Sequence, residues 1–243
     1  MSVWAASFLA ASVLFASTMQ VTAGFGFALL AVPLMSLAID THDAVVVSTF
    51  LGLLTSSLQA VRERRHIQRD LVLSLSGSAV IGIPIGLLLF RRVDENTLKI
   101  VLGVGVLIAA VLLARRLDLS TKGRSVEWTA GVLSGALSSS LSTNGPPLVF
   151  ALQSRRLPID AFRATISAVF CLSGVLTIVA FAVTDEIRAD AVRETLIALP
   201  AMVVGAVVGY RTRRLFTEEV ARRVVLALLG LAGVSTLVSA LAG

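Results

Sequence analysis

The stretch SGALSSSLSTNGPPLVFAL (134–152) gathers the side chains best suited to hold a small solute. Ser138, Ser139, Ser140, Ser142, Thr143 and Asn144 crowd the middle of an otherwise hydrophobic segment, and Gly145, Pro146 and Pro147 follow them. The two prolines remove two backbone donors and disfavour a regular helix just before them. Within a membrane such a break is tolerated only where it is buried in protein or lines a cavity. The N–H groups at the start of the resumed helix, with its positive end, hold an anion without a fixed positive side chain. Ser, Thr and Asn supply further donors. The expected substrate site is therefore Ser142 to Gly145, with Pro146 beside it. The competing reading is a polar kink that only packs helices.

The region TAGFGFALLAVP (22–33) is the corresponding stretch of the first half of the chain. Gly24 and Gly26 permit a backbone break there, Pro33 marks a later turn, and the two glycines are the expected second wall of the same cavity. Gln20, Thr49, Gln59, Thr165 and Ser167 are also polar within apolar surroundings. Each is a weak signal alone, because Ser and Thr can bond to the preceding turn and disappear into a helix. Arg163 either attracts an entering anion or extends its guanidinium to the membrane interface. No acid or base stands deep in any apolar run, which argues against a chain of intramembrane carboxylates or a voltage sensor.

No catalytic pattern accompanies these residues. HExxH, GxSxG and the phosphate-binding GxxxxGK[ST] are absent, and GFGF lacks the dinucleotide spacing GxGxxG. The two histidines, His42 and His66, lie near loops and form no metal spacing. Cys171 stands alone in a hydrophobic run and offers no disulfide. The sequence thus implies no enzyme, no metal and no cofactor.

The elements that must position these residues follow from charge. Of 243 residues 56% are hydrophobic and 15% charged, against about a quarter charged in soluble domains; the mean hydropathy is +0.90. Charge-free stretches run over 1–39, 44–61, 71–90, 100–114, 128–154, 164–184, 195–210 and 224–243. About 20 helical residues cross a hydrocarbon core. Segments such as VLGVGVLIAAVLLA (101–114) are apolar on every face, unlike the alternating strands of a barrel. The expected fold class is all-α: a polytopic membrane protein of about 8 transmembrane helices in two homologous halves with broken or re-entrant segments. The first 39 residues are too many for one crossing and barely enough for two, so either a helix followed by a re-entrant segment or two short helices is expected. The net charge of +6 borders the hydrophobic spans, where it meets anionic headgroups, and no recognition element points to nucleic acid. The implied partners are a small anionic substrate and membrane lipids, and a homo-oligomer is compatible with these features.

The halves echo each other. GIPIGLLLFRRVDENTLKIVLG (82–103) matches GAVVGYRTRRLFTEEVARRVVLALLG (205–230), with Gly82 and Gly86 corresponding to Gly205 and Gly209. Small residues four apart let helices approach closely in lipid. Asp43 and Asp160 open equivalent helices, where a carboxylate suits the positive end. The expected organisation is a first transmembrane repeat over 1–114, a connecting loop over 115–126 and a second repeat over 127–243. Eight spans place loops 62–70, 115–126 and 185–194 on one face, with ten Lys or Arg. They place 91–99, 155–163 and 211–223 on the other, with eleven. The positive-inside rule finds no bias in that division, although the density of 211–223 favours the cytoplasm. An odd span count would change these faces and turn a parallel repeat into an inverted one.

In the order of GFGFALLAVPLMSLAIDTHDAVVVSTFLGLLTSSLQAV (24–61), the GxxxG pairs followed by arginines, and 134–152, nearly the whole chain resembles the sulfite exporter TauE/SafE family of membrane permeases. In that family a glycine-rich stretch leads to a proline in each half, matched here by Gly24, Gly26 and Pro33 and by Gly145, Pro146 and Pro147. Ser142, Thr143 and Asn144 replace much of the glycine character of the second run. The resemblance implies a multi-pass plasma-membrane protein, a secondary transporter moving sulfite, sulfonates or related small anions. A non-transporting membrane scaffold and an anion channel are the alternatives.

Overall fold

The computed structural model describes residues 2–23, 26–114, 124–153, 155 and 157–212, and within the C-terminal stretch 226–227, 230–231, 233–238 and 240–241. Among the described residues every regular element is helical. These are α1 (Val3–Ala23), α2 (Phe27–Met35), α3 (Thr41–Arg62), α4 (Arg69–Arg92), α5 (Glu95–Ala114), α6 (Arg124–Leu141), α7 (Gly145–Gln153), α8 (Ile159–Val183) and α9 (Ala189–Thr212), with a single 3-10 turn at Arg64–His66. Five of them, α1, α3, α4, α8 and α9, are long and apolar enough to cross a membrane. Helix α6 starts at Arg124, so 124–126 belong to it and not to the connecting loop; 115–123 lie outside the described residues.

Polarity is distributed inside out. Val80, Ile81 and Ile85 on α4 and Val203, Val204 and Val207 on α9 face outward, about half exposed, while Gln20, Ser48, Thr49 and Gln59 are buried. A water-soluble fold places these classes the other way round. The pattern suits a hydrocarbon surround that accepts apolar side chains and drives hydrogen-bonding ones inward.

The order long, short, long, long in α1–α4 returns in α6–α9, and the contacts give the sense of each helix. Gly131 faces Leu75 and Ser78, Gly135 faces Ala79, and Gly86 faces Ala136 and Ser139, so α4 and α6 run parallel. Gly205 faces Leu14 and Ser17, and Gly209 faces Thr18 and Val21, so α1 and α9 run parallel as well. Leu53 of α3 instead meets Gly174 of α8. Ser57 Oγ lies 3.2 Å from Cys171 Sγ, and Gln68 N donates to Thr165 Oγ1 at 3.1 Å. That register is antiparallel. Likewise Gly103 of α5 meets Leu237 and Gly233 meets Leu107, so α5 runs against the helical residues near the C-terminus. Helices at corresponding places in the two halves therefore point in opposite directions. This corrects the parallel arrangement and its division of the loops. Residues 62–68 and 157–163 lie on one side, here called the α3-exit side, and 91–95 and 184–190 lie on the other.

The glycine pairs act where the sequence placed them. Gly82 and Gly86 of α4 lie against Val132, Ala136 and Ser139 of α6, and Gly131 and Gly135 of α6 lie against Leu75, Ser78 and Ala79 of α4, so closely that a Cβ on any of the four glycines would collide with the opposing chain. Each pair thus joins a helix of one half to a helix of the other. Asp40, and not Asp43, caps α3, accepting from His42 N at 2.9 Å and Asp43 N at 3.2 Å. Asp43 follows in the first turn, and Asp160 holds the same place in α8.

Candidate functional site

Two nine-residue helices, α2 and α7, interrupt the crossings. At about 1.5 Å per residue each covers roughly half a hydrocarbon core. Helix α2 begins where Phe27 meets Gly52 in the middle of α3 and ends five residues before α3 starts. Helix α7 begins where Asn144 Nδ2 donates to Ser173 Oγ of α8 at 3.1 Å, and runs back toward the start of α8. Since α3 and α8 are antiparallel, α2 and α7 diverge from a common centre and both present their N-terminal ends to it.

The breaks have local causes. Gly26 precedes α2 at φ 101°, a left-handed conformation that glycine adopts without steric cost. Ser142 ends α6 at φ 55°, which costs a non-glycine residue about 1–2 kcal/mol. The reversal returns Ser142 N to Ser138 O at 3.0 Å and Thr143 N to Leu137 O at 3.1 Å. Ser142 Oγ accepts from Thr49 Oγ1 at 3.1 Å, which ties the break to α3.

Between the two helix starts lies a cavity of about 50 Å³. Gly26, Ser142, Thr143, Asn144 and Gly145 all line it, so residues 116 or more positions apart in the chain share one wall. Pro146 is buried in the first turn of α7 and does not reach the lining, and Gly24 lies outside the described residues. The prolines also have a cost for the site. Pro146 and Pro147 carry no N–H, so α7 offers the Gly145 N–H and the Asn144 side chain, whereas α2 offers the first-turn N–H groups of Phe27, Ala28 and Leu29.

Of the scattered polar residues, Gln20 and Thr49 line the cavity; Gln59, Thr165 and Ser167 do not. Ser48, Gly52 and Ser56 line it as well, and sequence reading missed them. Their signal was a spacing of four along α3, which puts small and polar residues on one stripe. Gln20 Nε2 donates to Ser56 Oγ at 2.9 Å, as Asn144 does to Ser173 in the other half. Ser48 Oγ and Gln20 Oε1 are buried and have no partner within the protein. Among the described residues the lining contains no charged side chain.

Arg163 makes a contact that sequence reading did not foresee. It donates from Nη2 to Thr22 O at 2.8 Å, covering a terminal carbonyl of α1 beside the first break. The closest ion pairing stands at helix ends. On the α3-exit side Glu127, buried at the start of α6, holds Arg155 just beyond α7, with Nε at 2.6 Å. On the other side Arg188 lies 3.6 Å from Asp40 and 3.7 Å from Asp43, and Arg91 lies 2.8 Å from Glu186. No group of His, Cys, Asp or Glu among the described residues has metal-site geometry.

Comparison with known proteins agrees with the whole-chain pattern. The family model described as "Sulfite exporter TauE/SafE" matches residues 9–236. The chain is 23% identical over 233 residues to the probable sulfite/organosulfonate exporter TauE of Cupriavidus necator, covering 91% of this chain and 90% of that protein. No solved structure gives a significant match. With a helical multi-pass architecture and a family match from the first helix to the C-terminal stretch, the chain belongs to the sulfite exporter TauE/SafE family.

Proposed function

We propose that the chain is a secondary transporter that moves sulfite, sulfonates or related small anions across the cell membrane. It is built from two repeats, 1–114 and 127–243, inserted with opposite senses. The observation that carries this reading is the meeting of two half-helix N-termini, from α2 and α7, at one small cavity lined by Gly26 and by Ser142 to Gly145. Unpaired N–H groups and the positive ends of two helices suit a negatively charged solute. Discontinuous helices paired across an inverted repeat suit alternating exposure of one site. The family description and the relative's name supply the class of solute. They also favour a carrier that relocates its substrate over an enzyme that converts it.

The test is uptake and counterflow in proteoliposomes over a panel of sulfite, organosulfonates, sulfate and carboxylates, with imposed proton and sodium gradients. Saturable flux and counterflow of at least one sulfur oxyanion are expected. Asn144→Ala and Gly145→Leu should each lower that flux by about tenfold or more while the protein still reaches the membrane. Undiminished flux in both variants would remove the site from this position. Conductance without saturation or counterflow would mark a channel, and a protein that moves nothing would be a scaffold.

A further inference from the structure

The cavity is furnished for one negative charge and no more. Among the described residues its lining holds no Lys, Arg or His that could balance an anion, and no Asp or Glu that could take part in exchanging protons with one. What it holds are two helix starts, and each is equivalent to roughly half a positive charge. Together they amount to about one at most, because α6 ends at the same cavity and its terminal carbonyls oppose the two starts. The charged groups of the surrounding helices lie outside the lining: Asp43 on α3 beside Arg188, Glu127 on α6 beside Arg155, Asp160 on α8, Glu194 on α9, and Arg163, whose guanidinium is engaged with Thr22 O beside the first break.

Neutral donors complete the setting. The first-turn N–H groups of α2 face it, and Ser48 contributes a buried hydroxyl whose oxygen has no partner within the protein. Gln20 Oε1 is unpartnered in the same wall. Rotating that amide, which exchanges its nitrogen and oxygen, lets Ser56 donate to Oε1 and turns the Nε2 hydrogens toward the cavity. Phe27, Leu53 and Phe170 also line the cavity, and their side chains offer apolar surface and no hydration for a second charge. An uncompensated charge in such surroundings is very costly.

We propose that this cavity selects its anion by charge number, taking singly charged oxyanions, with or without a short apolar substituent, and rejecting doubly charged ones. The proposal rests on the reading of the cavity as the transport site. For sulfite, whose second proton leaves near neutral pH, the carried species is hydrogen sulfite. Methanesulfonate is singly charged at every working pH, and sulfate is doubly charged throughout.

The experiment measures initial uptake of sulfite, methanesulfonate and sulfate into proteoliposomes at a series of pH values across neutrality, with equal pH on both sides. Methanesulfonate flux should stay level, and so report any effect of pH on the protein itself. Sulfite flux, normalised to it, should fall with rising pH in proportion to hydrogen sulfite. Sulfate flux should be lower than methanesulfonate flux by about tenfold or more. Sulfate moving as fast as methanesulfonate, or normalised sulfite flux that is level or rises with pH, would overturn the charge rule while leaving the transporter reading intact. Flux of none of the three above protein-free liposomes would overturn both. A measurement independent of flux is the thermal stability of the detergent-solubilised protein with each anion at matched ionic strength. Methanesulfonate should raise the unfolding temperature and sulfate should not; equal stabilisation by both counts against the proposal.

Discussion

At the scale of the residue, the position that decides the site is Ser142. Its hydroxyl meets Thr49, and its backbone takes the left-handed turn that lets α6 stop at the cavity. Most sequences would favour glycine at such a turn. Ser142→Gly should therefore keep or raise thermal stability, since the relief of about 1–2 kcal/mol offsets one lost hydrogen bond. Ser142→Val should lower stability by at least about 1 kcal/mol, because a β-branched side chain tolerates positive φ worst. Thermal unfolding in detergent with both variants checks the sign of each. Asn144 differs in kind. Ser173 Oγ already donates to Val169 O at 2.6 Å, so it must accept from Asn144 Nδ2. That fixes the orientation of the Asn144 amide as no proline or glycine nearby could. Composition disclosed that these residues were polar where polarity is expensive. It did not disclose which of them would face the same space. Gln59 and Gln20 look alike in sequence, yet only Gln20 reaches the cavity.

At the scale of the element, helix contact is governed by the glycine pairs and helix ends by short caps. A Cβ on Gly135 would strike the Ala79 backbone, and one on Gly82 would strike Val132. Gly135→Leu should force α4 and α6 apart and destabilise the protein by about 1–3 kcal/mol or more. Gly77→Leu, on α4 but with open space beside it, should not. Comparing the unfolding temperatures of the two separates close packing from a general cost of losing glycine. Asp94 immediately precedes helix α5 and accepts from Thr97 Oγ1 at 2.7 Å and Thr97 N at 3.1 Å. Those bonds hold the Asp94 carboxyl below its usual range. A depressed carboxylate stabilises above its unfolded-state value and loses that contribution as pH falls through the folded one. The protection of the Thr97 amide, its exchange rate relative to an unstructured peptide at the same pH, should accordingly fall only in acid, and Asp94→Ala should lower it at neutral pH. Equal protection in the variant and the parent at neutral pH would show that the cap does nothing.

At the scale of the whole molecule, inverted senses re-sort the loops, and with them the charge. Arg62, Arg64, Arg65, Arg69, Arg124, Arg155, Arg163 and Arg211 belong to helix ends and turns on the α3-exit side, against Arg91, Arg92, Lys99, Arg188 and Arg193 on the other. Eight against five among the described residues is a bias where the parallel division had none, and by the positive-inside rule it predicts a cytoplasmic α3-exit side. Single cysteines introduced at Arg65 and Pro158 in a Cys171→Ser background should be shielded from an impermeant thiol reagent in intact cells. Cysteines at Asp40 and Asp185 should react with it. Labelling that separates Arg65 from Pro158 would contradict the antiparallel pairing of α3 with α8 itself.

The sequence by itself determined the medium and the class of fold. Long uncharged runs with charges only between them have one stable home, a helical bundle in lipid, because each segment satisfies its own backbone there. It also marked both breaks, since Gly26 and the Asn144-Gly145-Pro146-Pro147 run oppose helix locally whatever surrounds them. Only the tertiary structure decided that the corresponding helices run in opposite senses and that the starts of α2 and α7 meet. A run of apolar residues reads alike whether its helix points up or down in the bilayer. The sense is settled by which side chains oppose each other, Ser57 with Cys171 and Gly135 with Ala79, and those contacts join positions far apart in the chain.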